Sequence, residues 1–80
     1  MTNIPIEQQR TVAGVRFHKV GKLYHFDYSA YPTLVSGDFV IVETARGRQM
    51  GQIVSFAIAE ESLREYKPIM RPASPRDLVL

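Results

Sequence analysis

A chain of 80 residues has room for one domain, and surface scaling lets it bury only about 60–65% of the area its unfolded form exposes. Hydrophobic residues are 45% and charged residues 22%, with no cysteine; this excludes wholesale disorder, disulfides and thiolate chemistry. Ten Lys and Arg against eight Asp and Glu give +2, too small an excess to imply a nucleic-acid partner by itself.

The charge is unevenly placed. Arg10, Arg16, Lys19 and Lys22 occupy a stretch with no acid, whereas residues 53–80 balance four against four. Residues 1–10 are polar and lack a sustained period, which reads as a flexible N-terminal arm. From Thr11 the pattern becomes two-residue: Val15, Phe17, Tyr24 and Phe26 alternate with Arg16, His18, His25 and Asp27. Gly21-Lys22 between the runs suits a type II′ turn. That turn sets Phe17 opposite Phe26 and Val15 opposite Tyr28 on one face. On the other it sets His18 opposite His25 and Arg16 opposite Asp27, an opposite-charge pair.

Residues 28–37 hold a proline, two serines and a glycine and read as a loop, with Asp38 beside Gly37 as turn chemistry. Phe39-Val40-Ile41-Val42 is a β-branched run, a strand buried on much of both faces. Thr44-Ala45-Arg46-Gly47-Arg48 is a second turn, with Gly47 at positive φ closing a three-residue loop. Residues 49–56 resume as a strand, in which Gly51 marks a bulge, a bend or a close approach. Residues 59–66 read as a short helix with acids early and Arg64 and Lys67 late. Pro68 stops it, and Ile69-Met70-Arg71 makes a last strand before Pro72. The expected fold is mainly β, a small SH3-like barrel of four to five antiparallel strands with one short helix, over residues 11–72.

The acids sit mostly in turns and on the expected helix, where charge is solvated. Glu43, near Arg46 and Arg48, reads as half of a structural ion pair. No nucleophile motif, phosphate loop or dinucleotide fingerprint is present, so no catalytic residue is assigned. His18 and His25 have only Asp27 near them, too few ligands for a tight metal site. The better lead is cationic and aromatic. Arg16, Lys19 and Lys22 lie on the first hairpin with Tyr24 among them, and Arg46 and Arg48 lie on the second. Such residues hold phosphates and stack single-stranded bases. Gly21, Gly47 and Gly51 are the structural turn positions.

Three segments go beyond pattern. They are Gly14-Val15-Arg16-Phe17-His18-Lys19-Val20-Gly21-Lys22-Leu23-Tyr24-His25-Phe26-Asp27, Gly37-Asp38-Phe39-Val40-Ile41-Val42-Glu43-Thr44-Ala45-Arg46-Gly47, and Gly51-Gln52-Ile53-Val54. Together they resemble the polymerase-suppressor C-terminal conserved-region family, whose bacterial members are the YaaT/RicT-type regulatory proteins. The resemblance covers about residues 12–80. Pro72 and Ser74-Pro75 depart from the usual pattern near the end.

The resemblance implies a regulatory or adaptor subunit, not an enzyme. Similar bacterial proteins act in a cytoplasmic complex with two small helical subunits. That complex is linked to a membrane-attached endoribonuclease, mRNA maturation, sporulation and competence. Eukaryotic relatives include RNA-binding factors, so single-stranded RNA is the alternative ligand for the basic hairpins. Family members carry cysteines after this region that fit iron–sulfur ligation. No cofactor is expected within this chain, and such ligands would lie beyond residue 80. No apolar run is long enough for a membrane span and no signal segment opens the chain, so a cytoplasmic location is expected.

Ser74-Pro75-Arg76-Asp77 reads as a helix opening, with serine at the cap, proline at the first helical position and an acid that reaches back. Only three apolar residues follow it. Residues 73–80 are therefore expected to begin a helix cut short, the chain being a piece of a longer protein.

Overall fold

The computed structural model describes residues 11–18 and 21–78. The expected N-terminal arm, residues 1–10, and Lys19 lie outside the described residues. Five strands form one antiparallel sheet: β1 (Thr11–Arg16), β2 (Tyr24–Phe26), β3 (Phe39–Thr44), β4 (Gly47–Ile58) and β5 (Ile69–Pro72). Their order across the sheet is β2-β1-β4-β3-β5. A four-residue helix α1 (Pro75–Leu78) follows β5.

The β-branched runs form the middle of this sheet because they tolerate burial on a pleated surface. Ala13, Val15, Phe26, Leu34, Val40, Val42, Ile53 and Ile69 pack as one core, with Phe17, Tyr28 and Tyr31 against it. Ile41, on the opposite pleat of β3, is also buried. The Tyr28 and Tyr31 hydroxyls find partners, Thr11 Oγ1 at 2.7 Å and the Met70 carbonyl at 2.9 Å. The connecting loop is fixed by turn chemistry, as Asp38 Oδ2 accepts from the Val35 N–H at 2.9 Å.

The sheet does not close into the expected barrel. Its two edge strands meet at one parallel bridge, Asp27 to Pro68. There the Asp27 N–H donates to the Lys67 carbonyl and the Ile69 N–H to the Asp27 carbonyl, both at 2.9 Å. β2 is only three residues long, and Pro68 and Pro72 bring no donors to β5. Among the described residues no further backbone hydrogen bond joins these edges.

The first hairpin differs in register from the expectation. Val15 faces Tyr24 rather than Tyr28, and Ala13 faces Phe26, a slide of four residues. An even slide keeps every side chain on its face, so the alternation of the sequence cannot detect it. The cause lies in burial, because the slide carries Phe26 to Ala13 in the core and leaves Phe17 beyond the paired strand. Arg16 therefore faces Gln52 of β4, and His25 faces Gly14. The expected Arg16–Asp27 and His18–His25 pairs do not form.

The expected helix over residues 59–66 shrinks to one 3₁₀ turn, Leu63–Glu65. Strand β4 claims the chain as far as Ile58, which faces Thr11 of β1. At the other end Tyr66 is extended, and the Lys67 carbonyl accepts from the Asp27 N–H, so the chain leaves the turn in the extended form that the bridge to Asp27 requires. Ser62 opens the turn, its Oγ accepting from the Arg64 N–H at 3.3 Å.

Gly47 has φ 101°, as its position in the β3–β4 turn requires. Ahead of it, Thr44 Oγ1 accepts from the Arg46 N–H at 3.1 Å and donates to the Gly47 carbonyl at 3.0 Å. Gly47→Ala is expected to cost about 1 kcal/mol, from the β-carbon alone. A urea midpoint equal to the parent's would contradict this.

At α1 the Ser74 N–H and hydroxyl both donate to Asp77 Oδ2, at 2.7 and 2.9 Å. Arg71 grips the same carboxylate through two nitrogens, at 2.7 and 3.1 Å. The Arg71 hydrogen bonds first, then those from Ser74, hold the Asp77 carboxyl well below the usual carboxylate range. A depressed folded value stabilises fully above the unfolded value of about 3.9 and is lost as pH falls through the folded one. Acidification below about pH 4 is thus expected to loosen α1 from β5. An NMR titration should show the Ser74 amide moving with a midpoint well below that of a free aspartate. A midpoint at the ordinary aspartate value would contradict the assignment, and Asp77→Asn should remove the transition.

Candidate ligand-binding groove

Alternation along β2 puts Tyr24 and Phe26 on the face they share with Val15 and Ala13. Phe26 sinks into the core, whereas Tyr24, nearer the sheet end, remains 49% exposed. Phe17, just past β1, bridges the two. Its ring lies 5.8 Å from Tyr24 with a 51° tilt and 6.3 Å from Phe26 edge-to-face. These rings line an open groove of about 560 Å³ at one end of the sheet.

Three further segments border the groove: Gly21 and Lys22 of the first hairpin, residues 43–46 at the β3–β4 tip, and Glu65, Tyr66 and Lys67. The last of these is held in place by the single bridge at Asp27. Among the described residues, no backbone hydrogen bond carries that bridge further along β2 towards Tyr24. The groove therefore occupies the gap that barrel closure would have filled.

Its charge is mixed. Lys22, Arg46 and Lys67 supply cations, Glu43 and Glu65 supply acids, and His18 and His25 also line it. The Lys22 Nζ lies 5.6 Å from the centre of the Tyr24 ring, a cation–π contact worth about 0.5–1 kcal/mol at an exposed site. Glu43 Oε1 lies 3.9 Å from Arg48 Nε, with both side chains more than half exposed. Such a pair contributes about 0–1 kcal/mol.

Of the residues the sequence nominates, the structure brings Lys22, Tyr24 and Arg46 to one groove. Arg16 and Arg48 do not line it: the first faces Gln52 and the second faces Glu43. Gly21 borders it with φ 144°. Gly51 instead lies under Val15 and Phe17, where it permits a close approach of strands. A helix over residues 59–66 gives Tyr66 no place in the groove and makes Lys67 only its trailing cation, so the sequence reading does not nominate either. Pro68 restricts only Lys67, and a helix ending at residue 66 is compatible with it, so no local signal marks the extended backbone of Tyr66. Tyr66 is extended, with φ −106° and ψ 135°.

The groove offers aromatic faces for stacking and cations for an anionic group. Among the described residues no three His, Asp or Glu side chains gather as a metal site. The iron–sulfur group implied by resemblance does not fit residues 1–80, which contain no cysteine to ligate it. Among the described residues no helix is long and apolar enough to cross a membrane.

No protein-family profile matches the chain, and no solved structure matches it. It is similar to the stage 0 sporulation protein YaaT of Bacillus subtilis strain 168, with 39% identity over 75 residues. The match covers 86% of this chain and 26% of that protein, so the chain spans about a quarter of its relative's length. With that identity across most of its residues, the chain belongs to the YaaT-type family.

Proposed function

We propose that the chain is a non-enzymatic regulatory module of a sporulation-related protein, acting as an adaptor in a cytoplasmic complex linked to mRNA maturation. The similarity to YaaT over 86% of the chain carries this reading. Its partners are small helical regulatory subunits and, through them, an endoribonuclease complex. The groove supports a binding role, since it joins the exposed Tyr24 ring, backed by Phe17, to three cations at one end of the sheet. Affinity purification of the complete gene product from its own cells tests the proposal. Stable protein partners that survive ribonuclease treatment are expected; a protein recovered alone would count against it.

A second reading is single-stranded RNA binding. It is favoured by Lys22 over the Tyr24 ring, with Arg46 and Lys67 on the same groove. Under this reading, alanine at Arg46 and Arg48 weakens all RNA sequences alike and flattens the salt slope by about two charges' worth. The structure divides that pair, because only Arg46 lines the groove. Arg46→Ala should then carry most of the loss, and equal losses from the two single variants would point to a phosphate track outside the groove.

A further inference from the structure

We infer that the groove receives an extended acidic peptide segment of a partner protein, which adds as a strand to the outer edge of β2. This rests on the regulatory reading and names the kind of partner surface it uses. The first support is the direction of the backbone groups. Asp27 spends its N–H and carbonyl outward, on Lys67 and Ile69. Antiparallel strands alternate inward and outward groups residue by residue. Tyr24 and Phe26 therefore turn theirs toward Val15 and Ala13 of β1, and His25 turns its pair outward, as Asp27 does.

His25, Tyr66 and Lys67 all line the groove, and no backbone hydrogen bond joins β2 to Tyr66 among the described residues. An unpaired edge of this kind is a template for a strand from another chain. The groove provides what such a strand needs beyond its ladder. Tyr24 is exposed and backed by Phe17, a platform for one apolar or aromatic side chain. Strand geometry places alternate residues on the same side, so the neighbouring side chains turn away from that platform.

Charge selects the peptide's chemistry. Lys22, Arg46 and Lys67 border the groove from three separate segments, against Glu43 and Glu65. The three cations outnumber the two carboxylates by one. A peptide can place isolated carboxylates beside these cations. A nucleic-acid strand carries a charge at every phosphate and meets both glutamates along its path. The mixed lining therefore favours the peptide over RNA.

The test is selection of a random 12-residue displayed peptide library on the complete 80-residue chain, followed by NMR titration of a recovered peptide. Recovered sequences should be enriched in Asp or Glu spaced with aromatic or β-branched residues. The peptide should shift the His25 and Lys67 amides, and N-methylation of its alternate backbone nitrogens should weaken it at least tenfold. Lys22→Glu with Arg46→Glu should weaken it at least tenfold while the melting temperature holds. No enrichment, shifts confined to another face, or undiminished binding of the N-methylated peptide would each overturn the inference. So would a 12-residue oligouridylate that shifts the same amides at lower concentration than any recovered peptide. If the full-length protein keeps its native partners with both groove cations reversed, this docking site is wrong and the regulatory reading stands.

Discussion

Gly51→Ala is expected to lower the stability of the domain by about 3 kcal/mol, the upper part of the range for overpacking a core. A β-carbon at Gly51 would overlap Val15 Cγ1 and lie 3.1 Å from two carbons of the Phe17 ring. Val15 cannot yield. It is fully buried and pinned between β2 and β4, and a β-branched side chain has few rotamers to offer. Phe17 yields only by leaving Tyr24 and Phe26. For a domain of this size the loss corresponds to a fall in melting temperature of roughly 15 °C. A melting temperature within a degree or two of the parent's would show that β1 and β4 do not cross as closely as described.

Phe26→Ala should cost about 3–5 kcal/mol, as for other large aromatic side chains removed from cores. Tyr24→Ala, two residues away on the same strand, should change stability far less. The contrast follows from register. Phe26 is 6% exposed opposite Ala13, and Tyr24 is 49% exposed opposite Val15 at the groove. In the register that the alternation alone suggested, Phe26 faces Phe17 near the hairpin end and its loss is milder. Denaturant unfolding of the two single variants separates the cases. Equal destabilisation by Phe26→Ala and Tyr24→Ala would contradict the observed pairing.

Much of the sheet was legible because local chemistry and tertiary fold agree. The Phe39–Val42 run, the turn at Gly47 and the capped opening at Ser74 are each specified by a few neighbouring residues. The sequence also pointed to Lys22, Tyr24 and Arg46. What it could not convey was the partner of each strand. The four-residue slide in the first hairpin preserves every inward and outward assignment, so only the volume around Phe26 distinguishes the two registers. The 59–66 segment has helical composition, yet the bridge between Asp27 and Pro68, 41 positions apart in the chain, draws its end into extended form and overrides it. That override moved Tyr66 and Lys67 to the groove. The second half of the groove was thus hidden behind a wrong local assignment, whereas Arg16 and Arg48, grouped with the others in the sequence, lie outside its lining.

The absence of closure ties fold to proposed function. A seam continued from Asp27 along β2 would pair His25 and occupy the space beside Tyr24. Among the described residues one bridge fixes the position of residues 65–67, and no other backbone hydrogen bond runs along the rest of that edge. Regulation through such an edge needs no chemistry from the protein, only a partner strand with matching charge.

The central claim, that this chain acts by holding protein partners at the groove, is tested most directly by purifying the full-length protein from its own cells with and without Lys22→Glu and Arg46→Glu. Ribonuclease treatment precedes quantification of the co-purified proteins, and the two forms are first matched for thermal stability. The account predicts a protein partner in fixed proportion to the parent form, retained after ribonuclease and depleted at least tenfold from the variant. Equal recovery of that partner by both forms, or its complete release by ribonuclease, would contradict the account.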